Sequence, residues 1–105
     1  MAELEDAYAA WRSRPFPPGS SDELLDELHA DLALADTWVA EAVIPRVEHG
    51  LHQPARADVI DELEELRDRA VELTETSGRF ADGDLADDYR EYVDVLLRVY
   101  KVATA

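Results

Sequence analysis

Apolar residues recur along this chain at alternating steps of three and four, the period of helices that turn one side inward. Leu4, Ala7, Tyr8 and Trp11 share one face of a short N-terminal segment. A broad stripe follows in Leu24, Leu25, Leu28, Leu32, Ala35, Val39, Ala42 and Val43. Val59, Leu63, Leu66, Ala70 and Leu73 make the next, and Leu85, Tyr89, Tyr92, Leu96, Val99 and Ala103 the last. No segment alternates with the period of two that a half-buried strand requires. The pattern predicts an all-α fold, an antiparallel up-and-down helical bundle of three long helices plus a short N-terminal helix. The length of 105 residues fits one domain, with the short helix over 1–14 and long helices over 21–49, 54–77 and 84–103.

Local signals set these boundaries. Pro15, Pro17, Pro18 and Gly19 break the first helix, and 15–20 reads as a proline-rich strap with Phe16 tucked against the bundle. Ser20 followed three residues later by Glu23 fits a capping box at the next helix start. Pro45 lies inside the second apolar stripe. Its ring clashes with the carbonyl of Glu41, so a kink is expected there, or an ending with one further turn through Glu48, before Gly50 supplies a left-handed stop. Pro54 suits an early position of the following helix, Gly78 closes it, and Asp82 or Asp84 caps the last one.

The last helix carries more apolar surface than one seam uses. Val93, Leu97 and Tyr100 widen its stripe on one side and Val95 and Val102 on the other, to an arc of roughly 220°. Either it lies at the centre of the fold under the N-terminal segment, or its spare face joins a second copy. Leu34 and Trp38, off the core line of the first long helix, tilt the expectation toward a homodimer, with Trp38, Val93, Leu97 and Tyr100 as interface residues.

Charge narrows the partners. There are 25 acidic against 10 basic residues, a formal net charge of -15, which repels nucleic acid and anionic membranes and favours a protein with a basic surface. With no cysteine, disulfides, thiolate metal sites and a cysteine nucleophile are excluded. Every basic residue but Lys101 is arginine, and there is no asparagine, a bias expected of a GC-rich bacterial genome. The first residues carry acids where a signal peptide carries basic charge, and no run of apolar residues is long enough to span a bilayer, so a cytoplasmic location is expected.

Several groupings could carry chemistry. Glu62 and Glu65 lie one turn apart, as do Glu91 and Asp94, with 25 residues between the pairs. The spelling E-x-x-E, E-x-x-D resembles the MazG-type helical nucleoside triphosphate pyrophosphohydrolases, and the resemblance implies Mg²⁺ held by those four carboxylates. Read from the helical period instead, Glu91 and Asp94 fall in the polar gap of their helix. Asp94 with Arg98, and Glu65 with Arg69, then make ordinary exposed ion pairs worth about 0.3 to 0.5 kcal/mol each.

Arg46 and His52 are spaced similarly to the R-x4-6-H signature of HEPN-type ribonucleases, which implies acid–base chemistry at a scissile phosphate. The plainer reading sets Arg46 and His49 at a helix C-terminus, where cations offset the dipole. Glu48, His49 and His52 read as a surface loop before they read as a metal site, and His29 as a hydrogen-bonded boundary histidine. "DGDLADD" fails as a calcium loop, since the sixth and twelfth positions from Asp82 are Asp87 and Val93. No catalytic residue and no cofactor is assigned. A small acidic, non-catalytic interaction or regulatory module, paired with itself or with a basic protein, is the function expected, with the Mg-dependent pyrophosphohydrolase as alternative and the ribonuclease third.

Overall fold

The computed structural model describes residues 2–19, 23–51, 54–75 and 83–104, and among them every regular element is helical. Helix α1 spans Ala2–Ser13, α2 Glu23–Trp38, α3 Ile44–Glu48, α4 Ala57–Glu75 and α5 Gly83–Ala103. A widened π turn, Val39–Val43, joins α2 to α3. The expected all-α bundle is the fold observed. Ser20, His52, Gly78 and Asp82, and with them the capping box and the cap of the last helix, lie outside the described residues, as do the side chains of Asp84 and Leu85.

Acids in the first turn of α1, Glu3 and Glu5, and Arg12 in its last complement the helix dipole. The strap beyond it is tied down at two points. Phe16 meets the edges of His29 and Tyr92 at centroid distances of 5.2 and 5.0 Å, and the Tyr89 hydroxyl donates to the Pro18 carbonyl at 2.6 Å.

Past Pro45 the helix runs the one further turn expected, through Glu48, and it does so by way of the π turn. Without an N–H Pro45 cannot bond the Glu41 carbonyl, and the helix makes room by widening by one residue, so that the Ile44 N–H bonds the Val39 carbonyl. The extra residue keeps Val39, Val43 and Ile44 all buried. After Glu48 the chain closes as expected: Gly50 has φ 77°, its N–H reaches the Val47 carbonyl at 3.0 Å, and the Leu51 N–H reaches Arg46 at 2.9 Å. This pairing of bonds needs a left-handed residue, which glycine adopts without strain.

Helix α4 begins at Ala57, later than the expected start at Pro54. Arg56 decides the position. Its carbonyl accepts the first helical bonds from Val59 and Ile60, both at 3.1 Å, while its own N–H donates to the Tyr100 hydroxyl at 3.0 Å.

Cross-helix contacts fix the topology. Arg67 faces Asp94 and Glu64 faces Lys101, so α4 and α5 run antiparallel. Asp31 meets Arg69 while Leu34 and Trp38 lie beside Asp58 and Glu62, so α2 is antiparallel to α4; Arg14 meets Glu91 while Leu4 and Tyr8 lie against α3 at the other end of the bundle, so α1 is antiparallel to α5. His29 with Tyr89, Asp36 with Tyr92, and Trp38 with Tyr100 make α2 and α5 a parallel diagonal pair. The short α1 is thus the fourth rod, packed on α5, and α5 is the central helix.

That position corrects the expected interface. Val93, Leu97 and Tyr100 are buried within this one chain, where α1, α4 and the π turn pack on α5, and only Trp38 of the four keeps an exposed surface.

Candidate functional site

The four carboxylates of the magnesium reading do not converge. The Arg14 guanidinium bonds Glu91 at 2.9 Å, and Asp94 lies between Arg90 at 3.4 Å and Arg67 at 3.9 Å. Glu62 and Glu65 are exposed on α4. Among the described residues there is no group of three or more His, Asp or Glu side chains placed to hold a metal ion. The expected Asp94–Arg98 and Glu65–Arg69 pairs give way to Asp94 with Arg90 and Arg67, and to Arg69 with Asp31 at 2.7 Å. Arg46 is exposed on α3, and His52, its partner in the ribonuclease reading, lies outside the described residues. His29 is half-buried at the boundary, as expected, but edge-on contacts with Phe16 and Tyr89 take the place of the expected hydrogen bond among the described residues.

A polar knot ties three helices together, with the buried rings of Trp11 and Tyr92 on a half-buried Asp36. Asp36 Oδ1 accepts from Trp11 Nε1 at 2.8 Å and from the Tyr92 hydroxyl at 2.6 Å, and Trp11 Nε1 also lies 3.1 Å from the Tyr92 oxygen. Asp36 could have been found in the sequence, for it sits between Leu32 and Val39 at steps of four and three, inside the core stripe. Burial raises the Tyr92 pKa far above its ordinary value, and the bond and charge of Asp36 raise it further. The hydroxyl therefore stays protonated and works as a clasp, with no proton to give near neutral pH.

Tyr89 behaves alike. Burial first, then the charge of Asp26, pushes it up to about 12. Both tyrosines favour their neutral form when folded, so their contribution is complete below the ordinary pKa of 10.0 and is lost as pH rises above it, for Tyr89 through about 12 and for Tyr92 higher still. Urea midpoints are expected to stay flat up to about pH 10 and then fall, with part of the fall removed in Tyr89→Phe. A midpoint indifferent to alkali would refute this account of the two hydroxyls.

The surface offers one further arrangement, between α2 and α4. Leu34 and Trp38, one turn apart on α2, are 73% and 37% exposed while Leu32 and Val39 beside them are fully buried. They wall a groove of about 250 Å³ floored by Ala35, Val39, Val59 and Leu63, with Arg56, Asp58 and Glu62 on the opposite rim. Trp38 leans on Tyr100 at 5.9 Å, and the Tyr100 hydroxyl holds the Arg56 N–H at the start of α4, so one residue of α5 touches both walls. Arg56 chelates Asp58 through two bonds of 3.2 and 2.7 Å, which lowers the Asp58 pKa and raises that of Arg56. Periodicity flagged Leu34 and Trp38 but not this α4 wall, because Val59 counts there as a core position. A smaller apolar cleft of about 170 Å³ lies between α1 and α3, among Leu4, Tyr8, Ile44 and Val47.

No protein-family model, curated protein or solved structure matches this chain. No helix of the described residues is long and apolar enough to cross a membrane.

Proposed function

We propose that this chain is a small acidic, non-catalytic protein-interaction module that engages its partner through the α2–α4 groove. One observation carries the reading: Leu34 and Trp38 stand exposed, one turn apart, above an apolar floor. A single exposed leucine is ordinary on a protein surface. Two large apolar side chains over a groove between helices form a surface of the kind that receives a partner's helix. The magnesium reading gains no support from Glu91 and Asp94, which are engaged by arginines.

Self-association through Trp38 is the second reading, favoured by the same exposed pair and by the small size of the domain. Its electrostatics differ. Two copies at -15 each repel, so salt should strengthen a homodimer, whereas salt should weaken a complex with a basic partner.

The interaction reading is tested by placing a photo-crosslinking residue at position 34 in the native host, with position 68 on the exposed side of α4 as control. A discrete adduct from 34 and none from 68 is expected. No adduct from 34, or the same products from both positions, would end the reading.

A further inference from the structure

We propose that the occupant of the α2–α4 groove is a cationic amphipathic helix supplied by another protein, an inference that rests on the groove being the interaction site. The charge along its two walls identifies this occupant. On α2, Glu27, Asp31, Leu34 and Trp38 follow one another at steps of four, three and four, a single line along the helix. Asp58, Glu62, Glu65 and Arg69 repeat those steps on α4. The Asp31–Arg69 bond at 2.7 Å, and the groove that Leu34 and Trp38 share with Asp58 and Glu62, show that the two lines face each other, running in opposite directions.

Some of this charge is already neutralised and some is not. Asp31 and Asp58 are each held by an arginine, at 2.7 Å in both cases. Glu27, Glu62 and Glu65 are exposed, with no ion-pair partner among the described residues. The apolar pair is therefore flanked by carboxylates with unused acceptor capacity. A helix laid between the walls would set apolar side chains, spaced three and four apart, on Leu34, Trp38 and the floor. Its Lys or Arg residues on either flank would then reach the free glutamates.

The same charges disfavour the other occupants. A second copy would bring its own Glu27, Glu62 and Glu65 against these, and a polyanion or an anionic membrane would be repelled outright. Attraction by the net charge of -15 would speed arrival, and the groove would select the helical register.

The test uses the full chain and a synthetic peptide of about 18 residues, a length that can form a stable amphipathic helix once bound. Leucines lie on one face and lysines on the other. One control peptide has the same composition in scrambled order, and another carries glutamate in place of lysine. Trp38 fluorescence reports on the groove, while the buried Trp11 serves as background. Saturable one-to-one binding is expected, at least about tenfold tighter for the amphipathic peptide than for the scrambled one, weaker in high salt and absent for the glutamate peptide.

Leu34→Asp is the deciding variant, because it adds negative charge while removing apolar surface. Circular dichroism establishes that it folds, as the exposure of Leu34 leads one to expect. Binding weakened about tenfold or more in Leu34→Asp supports the groove; binding unchanged or tighter overturns the proposal in favour of attraction by overall charge. Equal binding of the scrambled peptide overturns it too. Self-association in sedimentation that salt strengthens and Leu34→Asp abolishes would make the occupant a second copy, overturning this inference and leaving the interaction reading intact. If no peptide binds but position 34 still gives a discrete host adduct, only the inference falls; if both experiments are blank, both fall.

Discussion

Replacing Asp36 with alanine is expected to cost about 2–4 kcal/mol of folding stability, read as a lower urea midpoint at unchanged slope. The carboxylate is the acceptor for two donors at once, Trp11 Nε1 and the Tyr92 hydroxyl, and both rings are buried. Alanine leaves the indole with its longer approach to the Tyr92 oxygen and the hydroxyl with nothing. A buried donor stranded in this way forfeits about 1–3 kcal/mol, on top of the charge-assisted bond itself. Against the roughly 5–15 kcal/mol that holds a small domain together, the loss is large.

Two controls separate the contributions. Asp36→Asn keeps an oxygen in place without the charge and should cost about half as much. Tyr92→Phe removes the stranded donor, so that Asp36→Ala combined with Tyr92→Phe should cost less than the two single losses added. An Asp36→Ala variant with the parent's midpoint would mean that the knot is incidental to stability.

This knot also marks how far periodicity reaches. The three-four spacing identified Leu28, Leu63, Leu96 and Val99 as core, and each is buried, because a repeating apolar face is the direct cause of helix packing. Proline and glycine, through local backbone chemistry, assigned the strap and the stop at Gly50, and Phe16 leans inward as expected. Partner choice was not legible. Asp94 was matched with Arg98 by spacing, yet it meets Arg90 on its own helix and Arg67 on α4. Arg69 crosses to Asp31 when Glu65 is four residues away. Exposed pairs differ by only a few tenths of a kcal/mol, so whichever carboxylate the packing brings near decides the match.

Tertiary structure likewise overrode the local signal at Pro54. Proline suited a helix start, but the Tyr100 hydroxyl, 44 residues away, claims the Arg56 N–H and sets the first turn beyond it. The candidate surface was half legible. Trp38 and Leu34 stood off the core line in sequence, while the α4 wall opposite them depended on the antiparallel register of two helices that no local pattern encodes. As for the wide apolar arc of α5, the sequence could measure it without saying what covers it. Three of the four residues assigned to a second copy were spent inside the chain.

A chain that starts after Arg14 should test that last point most severely. The truncation removes Trp11, whose burial of roughly 200 Å² is worth about 5 kcal/mol at 25 cal/mol per Å², together with Ala7 and the partly buried Tyr8 that pack with it. It also removes the indole N–H that donates to both Asp36 and the Tyr92 hydroxyl, and uncovers the side of α5 against which α1 lies. Two outcomes follow from the same loss. Either cooperative unfolding disappears, because the deficit approaches the whole stability of a small domain, or the uncovered α5 face finds its match on a second truncated chain and the protein associates as its concentration rises. Light scattering coupled to size separation, with urea unfolding at two concentrations, distinguishes these. Trp11→Ala alone should show the milder form, about 3–5 kcal/mol without association, since the rest of α1 stays in place. A truncated chain that remained monomeric with the parent's urea midpoint would mean that α5 does not need the N-terminal helix, and that its broad apolar arc is satisfied by α2, α4 and the π turn alone.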